Sequence, residues 1–279
     1  MLKYALFIFT YVLVYLDFSN ASVNDFNATK NNSKDEMEGK IVGGIPISLS
    51  VIPYNVQIFN LGSMCAGSIL NSWSVLTAAH CFDINKNTEE MIVQVGSRYV
   101  YDFNADQYNV ADIVIHNNYN HTGLFACDIA LVFLKRPITF SNKTKKAVLV
   151  THNRWMNPQE KNFTVSGWGW TEYGGQVSKE GLMMTHLQFI TSEECGRLHQ
   201  LQLSPDMFCL YGNGSRDTCK GDSGGGVFWN GLIVGITSHG DGCAKKHKPS
   251  VYANVYHFKN WIRSKVLYYV NMHCRIKII

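Results

Sequence analysis

The sequence predicts an all-β protein, a sandwich or barrel, closed by one terminal helix. Two observations carry that prediction. From Ile41 onward the chain is divided into short runs rich in Val, Ile, Phe and Tyr, punctuated by Gly, Asn and Ser clusters, which is the spacing of strands and tight turns. Only the last segment changes period: Val255, Phe258, Trp261, Ile262, Val266 and Tyr269 recur at helical spacing, predicting an amphipathic helix over 255–269. A length of 279 residues allows one or two domains. With 46% hydrophobic residues there is ample material for a core, which excludes a wholly disordered chain.

In chain order, Leu2 to Leu16 places one Lys before an apolar run, followed by the small polar stretch Phe18 to Ser22. This is the pattern of a secretory signal peptide over 1–21, cleaved after Ala21. The run is shorter than the ~20 residues that span a bilayer, and no later segment is long enough, so a membrane is not an expected partner. Residues 22–40 are polar and without periodicity, a flexible leader that ends in Lys40 before Ile41-Val-Gly-Gly44. Strands are then expected at 54–59, 74–77, 91–95, 107–115, 129–134, 164–166, 226–229 and 232–237, and no internal repeat interrupts them.

Charge and metal-ligand spacing exclude several functions. Charged residues make up 16% of the chain and the formal net is +4, too small and dispersed for a nucleic-acid protein. The ten His show no His-Glu-x-x-His spacing. Asp102-Phe-Asn-Ala-Asp106 opens like a calcium loop but continues with Gln107 and Ile113 where Gly and Glu are required, so a turn is expected. No metal or cofactor is therefore anticipated. Eight cysteines, an even number, suggest pairing in an oxidising compartment. Asn-x-Ser/Thr sequons at Asn27, Asn31, Asn120, Asn142, Asn162 and Asn213 suit a secreted glycoprotein.

Three short segments carry chemistry: Leu76-Thr-Ala-Ala-His80-Cys81, Cys127-Asp128-Ile-Ala-Leu-Val132 and Gly221-Asp-Ser223-Gly-Gly225. The glycine-rich segment lacks the Gly-Lys-Ser/Thr ending of a phosphate-binding loop. In the order His, Asp, Ser, with their neighbours intact, the three resemble the chymotrypsin/trypsin family of serine proteases from Ile41 to about Tyr269. The resemblance implies two packed six-stranded antiparallel Greek-key β-barrels, about 41–145 and 146–254, with a C-terminal α-helix and a short extension to 279. It implies a triad in which His80 takes the proton of nucleophilic Ser223 and Asp128 orients the imidazole. The backbone amides of Gly221 and Ser223 would form the oxyanion hole. Ser238 matches the serine that supports the catalytic aspartate.

Activation and specificity follow from the same resemblance. Cleavage after Lys40 by a trypsin-like protease would free the amine of Ile41 to pair with Asp222. Asp217 matches the pocket-floor aspartate that selects Lys or Arg in protein and peptide substrates, in a pocket also built from Ser238, Gly240 and Ser250. Protein protease inhibitors would be further partners, and the expected state is a monomer. Ser250 replaces the usual glycine and predicts a shallower pocket that favours Lys over Arg. His239 replaces the usual Trp, and Gly226 the usual Pro, which should loosen the loop. Lys220, beside the nucleophile, is read either as favouring acidic groups after the cleaved bond or as solvated. These departures sustain an alternative function, a catalytically weak or inactive homologue that binds rather than cleaves.

The resemblance also pairs Cys65 with Cys81, Cys195 with Cys209, and Cys219 with Cys243. A further family bridge is replaced by Phe163 and Trp229. That leaves Cys127 and Cys274, which are proposed to pair and strap the C-terminal extension behind the triad, with an interchain bridge as the alternative.

Overall fold

The computed structural model describes residues 41–276, with side chains to 272. The expected signal peptide, the expected leader with Lys40, and the sequons at Asn27 and Asn31 lie outside the described residues. The strands are β1 (Ile45–Pro46), β2 (Asn55–Asn60), β3 (Ser63–Asn71), β4 (Ser74–Thr77), β5 (Met91–Val95), β6 (Asp106–Ile115) and β7 (Ala130–Leu134). They continue as β8 (Val148–Leu149), β9 (Phe163–Gly167), β10 (Met183–Ile190), β11 (Met207–Tyr211), β12 (Gly226–Trp229), β13 (Leu232–His239) and β14 (Ser250–Asn254). Two α-helices are described, α1 (Ser192–His199) and α2 (Val255–Ile276).

Strands β2-β3-β4-β7-β6-β5 close one antiparallel six-stranded barrel. The second ring runs β9-β10-β11-β14-β13-β12 and is closed by pairing of β12 with β9. Closure leaves neither ring an unpaired edge and gives each an apolar interior. The first is filled by Val56, Ile58, Val93, Tyr108 and Val132. The second barrel and the seam between the two share a cluster that includes Trp155, Trp168, Phe208, Tyr252 and Phe258. The β1 strand corrects the expected barrel boundary. Although it precedes the first barrel, Ile45 pairs with Met184 of β10, so the segment following Ile41 is stitched to the second barrel.

Six strands and a helix were absent from the sequence reading, and all but one of the strands have a physical reason. The β3 strand, Ser-Met-Cys-Ala-Gly-Ser-Ile-Leu-Asn, carries small residues that fit the first barrel, and a Cβ on Gly67 would lie 2.6 Å from Val75. The β14 strand is buried at all five positions and so shows no alternation. β1 and β8 are two residues long, and β11 spans only five. The α1 helix starts at an N-cap, where Thr191 Oγ1 accepts from Glu194 N–H at 3.2 Å. The Thr-x-x-Glu pattern was its legible signal. β10 alternates cleanly in burial, and its Met183-Met-Thr-His run is the one strand whose sequence pattern was available and not used.

The terminal helix extends seven residues beyond its predicted end, to Ile276. It is seated by Phe258 and Trp261, whose rings lie 5.1 and 5.0 Å from that of His116, and by Tyr269 stacked on Phe133 at 3.8 Å. This unbroken course overturns the proposed strap. Cys127 is a free thiol, and its N–H donates to Asp206 Oδ2, whose residue also accepts Asn254 N–H at the start of α2. Cys274 lies nineteen residues further along the helix, roughly 28 Å at 1.5 Å per residue. An extension that continues a helix cannot fold back to reach its base.

Candidate active site

The three chemical segments meet at the seam of the barrels. After β4 the chain turns through a 3-10 helix, Ala79–Phe82, that carries His80. The turn is held by the Cys65–Cys81 disulfide to β3 and by Asn60 Nδ2, which donates to Cys81 O at 3.1 Å. Asp128 sits directly before β7 and is 1% exposed. Its Oδ1 accepts the His80 backbone N–H at 2.9 Å, and its Oδ2 lies 2.8 Å from His80 Nδ1. The same Oδ2 accepts Ser238 Oγ–H at 2.5 Å.

These contacts set the titration of the pair. Burial alone pulls the His80 imidazole down, but the hydrogen bond and charge of Asp128 outweigh it and hold it above its ordinary value. Burial pushes the Asp128 carboxyl up, yet the His80 and Ser238 donors bring it below the ordinary range. Asp128 is therefore ionised and His80 is prepared to accept a proton.

Ser223 projects from the loop between Cys219 and β12. Ala66 N–H donates to Ser223 O at 2.7 Å, and Gly224 N–H donates to Thr237 O and Thr237 N–H to Gly225 O, both at 2.8 Å, which ties the turn to both barrels. Glycine is required here: Gly221 has φ +100°, and a Cβ on Gly224 would overlap Thr77 and Ala66. The Gly221 and Ser223 amides have no protein acceptor among the described residues. Within 3.5 Å no hydrogen bond joins Ser223 Oγ to His80 among the described residues, a contact that commonly tightens only when substrate binds.

Beside Ser223 opens a cavity of about 310 Å³, lined in part by Thr218, Ser238, His239, Gly240 and Ser250. Lys220 also lines it, with its Nζ over the Trp170 ring at 5.0 Å. Asp217 lies beneath this cavity, 4% exposed, accepting Thr218 N–H, Ala244 N–H and Ser250 Oγ–H. Burial pushes its carboxyl up to about 6 despite those donors. Ser250 Oγ, 2.6 Å from Asp217 Oδ1, thus stands between the charge and the cavity.

Asp222 is fully buried. Its carboxylate accepts Gly169 N–H at 2.8 Å and Cys219 N–H at 2.9 Å, and burial pushes it up to about 7. A Cβ on Gly167 would overlap this carboxylate and one on Gly169 would come within 2.7 Å of it, so the Gly-Trp-Gly run makes room for it. Ile41 is likewise fully buried, and Val42 O accepts Asp217 N–H at 3.1 Å.

A family model for Trypsin matches residues 41–262. The chain belongs to the trypsin family. Trypsin of Sus scrofa is 33% identical over 232 residues, covering 82% of this chain and 96% of the relative. Trypsin epsilon of Drosophila erecta is 33% identical, covering 81% and 88%, and trypsin alpha-4 of Lucilia cuprina is 34% identical, covering 82% and 88%. The fold is that of a trypsin-like serine protease, and protein substrates follow from membership. Cys65–Cys81, Cys195–Cys209 and Cys219–Cys243 are bonded, which is consistent with an oxidising, extracellular setting.

Other family departures are accounted for by packing. Phe163 is buried edge-on to Trp155, and the Trp229 indole N–H donates to Glu160 Oε2, so the strands that a bridge would link are held by ring packing and a hydrogen bond. At Gly226 a Cβ would lie 2.5 Å from Ser68 Oγ and 2.9 Å from the Phe228 ring. The site is crowded rather than loose. Asp102 forms a turn in which its carboxylate accepts Ser97 Oγ–H and Asn104 N–H. Asn120, Asn142, Asn162 and Asn213 are exposed. Sequence reasoning missed Phe125, whose ring stands edge-on to His80 at 5.7 Å and flat on His239 at 4.5 Å. Only its place shortly before Asp128 hinted at this position.

Proposed function

We propose that the chain is a secreted serine endopeptidase that cleaves after Lys or Arg, through His80, Asp128 and Ser223, once a trypsin-like protease has cut between Lys40 and Ile41. The observation that carries the reading is the buried chain from Ser238 through Asp128 to His80 beside the nucleophile turn. In this reading Ser223 Oγ attacks the scissile carbonyl as His80 Nε2 takes its proton. The Gly221 and Ser223 amides stabilise the oxyanion, each donor contributing about 3–4 kcal/mol in the transition state. His80 then returns the proton to the leaving amine, while ionised Asp128 stabilises the imidazolium.

Two buried carboxylates support the finer claims. Asp217 beneath the cavity is a charge without a side-chain cation among the described residues, so a Lys or Arg side chain of a substrate supplies what burial denies it. Asp222 has only backbone donors among the described residues. The ammonium released at Ile41 would satisfy it, and an unmatched buried charge costs roughly 3–5 kcal/mol. That difference is the basis of a zymogen.

Labelling of Ser223 by a fluorophosphonate before and after trypsin treatment tests the proposal. Fast labelling is expected only after cleavage at Lys40, and Lys40→Gln should prevent it. A cut chain that folds and never labels would instead be a homologue that binds without turnover. A peptide library then tests Lys/Arg preference directly.

A further inference from the structure

His239 occupies the position where the family carries Trp, and it makes a contact that a Trp ring does not offer. Its Nδ1 lies 3.0 Å from Ser238 Oγ, while Ser238 Oγ donates to Asp128 Oδ2 at 2.5 Å. A hydroxyl has one proton. Asp128 is ionised and can only accept, so that proton points at the carboxylate. The second contact must then run from His239 Nδ1–H to Ser238 Oγ. The tautomer of His239 is thereby fixed, with its proton on Nδ1 and a bare lone pair on Nε2.

The ring is also held in place and kept neutral. It stacks on Phe125 at 4.5 Å with 15° between planes, and Phe125 in turn stands edge-on to His80. Burial holds the imidazole down at about 4, and the titratable groups acting on it are Asp128, His80 and His199. Across neutral pH it is a single fixed donor.

We propose that His239 is a positioning residue for the catalytic aspartate, the outer end of a hydrogen-bond chain from His239 Nδ1–H through Ser238 Oγ–H to Asp128. This rests on the serine-protease reading above and adds a member to its machinery. Donation into Ser238 Oγ polarises the hydroxyl and makes it a stronger donor to Asp128. The carboxylate then holds less uncompensated charge, which lowers the basicity of His80. A residue without the Nδ1 donor leaves Asp128 more basic and raises the His80 imidazole.

The test compares wild type with His239→Phe, which keeps a flat ring against Phe125, and His239→Asn, whose side-chain amide nitrogen falls near the position of Nδ1. In the trypsin-cut chain, the acidic limb of Ser223 labelling against pH should move up by about half a pH unit in the Phe variant, with labelling at a fixed pH well below the limb falling roughly 3-fold. The Asn variant should return the limb to the wild-type position. Long-range proton–nitrogen correlation spectra of the wild-type chain, cut and uncut, should show His239 protonated at Nδ1. A proton on Nε2 overturns the proposal, as does an unmoved limb in the Phe variant or equal shifts in both variants. If no form labels at any pH, the protease reading fails, and the tautomer still decides whether this chain of hydrogen bonds exists.

Discussion

Asp222 should make the uncut chain more stable in acid and the cut chain less so. Its carboxyl is raised from the ordinary 3.8 to about 7, so between those values the folded uncut chain binds a proton that the unfolded chain does not. The resulting stabilisation is fully present below pH ~4 and is lost as pH rises through ~7. At ~1.4 kcal/mol per pH unit, a raise of this size corresponds to roughly 4 kcal/mol. For a domain of this length 1 kcal/mol moves Tm by about 2–4 °C, giving a change of roughly 10 °C. Cleavage after Lys40 reverses the sign. An ammonium beside Asp222 depresses its carboxyl, and the stability it contributes is then lost as pH falls. The assay is thermal unfolding between pH 4 and 8 in a Ser223→Ala background, which prevents self-digestion. The difference in Tm from an added Asp222→Asn isolates this one group from the other carboxyls. In the uncut chain the Asp222 form should gain on the Asn form by roughly 10 °C from pH 8 to pH 4, and in the cut chain it should lose. A difference that stays flat with pH in the uncut chain would refute the reasoning.

Four further outcomes follow from individual contacts. Asp217→Asn should lower kcat/KM on Lys and Arg peptides by about 100-fold or more while Ser223 still labels, since only the substrate cation loses its partner. Ser250→Gly removes the hydroxyl between Asp217 and the cavity, and in paired peptides should raise cleavage after Arg relative to Lys by about 3–10-fold. Gly226→Ala should destabilise the fold by about 1–3 kcal/mol in guanidinium unfolding, because Ser68 and Phe228 occupy the space a Cβ needs. Burial pushes the Cys127 thiol up to about 11, so iodoacetamide at pH 8 should modify it slowly in the folded protein and quickly once unfolded.

Much of this protein was legible from residue order alone. His80, Asp128 and Ser223 lie in short segments whose neighbours carry the family resemblance, and the strands at 74–77, 91–95 and 226–229 coincide with their predicted bounds. The three disulfides present match those the resemblance implies, because the resemblance carries their positions. What sequence pattern could not show was anything that depends on contact between distant segments. Pairing of β1 with β10 brings the segment after Ile41 to the second barrel, a long-range choice that local periodicity does not encode. Strands buried on every side, such as β14, lose the alternation by which strands are read.

The departures from the family pattern divide in the same way. The sequence determined that Ser250, His239 and Gly226 stand where Gly, Trp and Pro are usual, and tertiary contacts decided what each does. Ser250 covers a buried carboxylate, His239 Nδ1 comes within 3.0 Å of Ser238 Oγ, and Gly226 yields its space to Phe228. Cys127 and Cys274 were the last unassigned pair on an even count. The continuous α2 helix decided against them, because Cys127 is a free thiol held at the base of that helix and the backbone at 274 lies far along its axis. Residue identity sets which bonds are chemically available, and only the packed chain determines which of them are within reach.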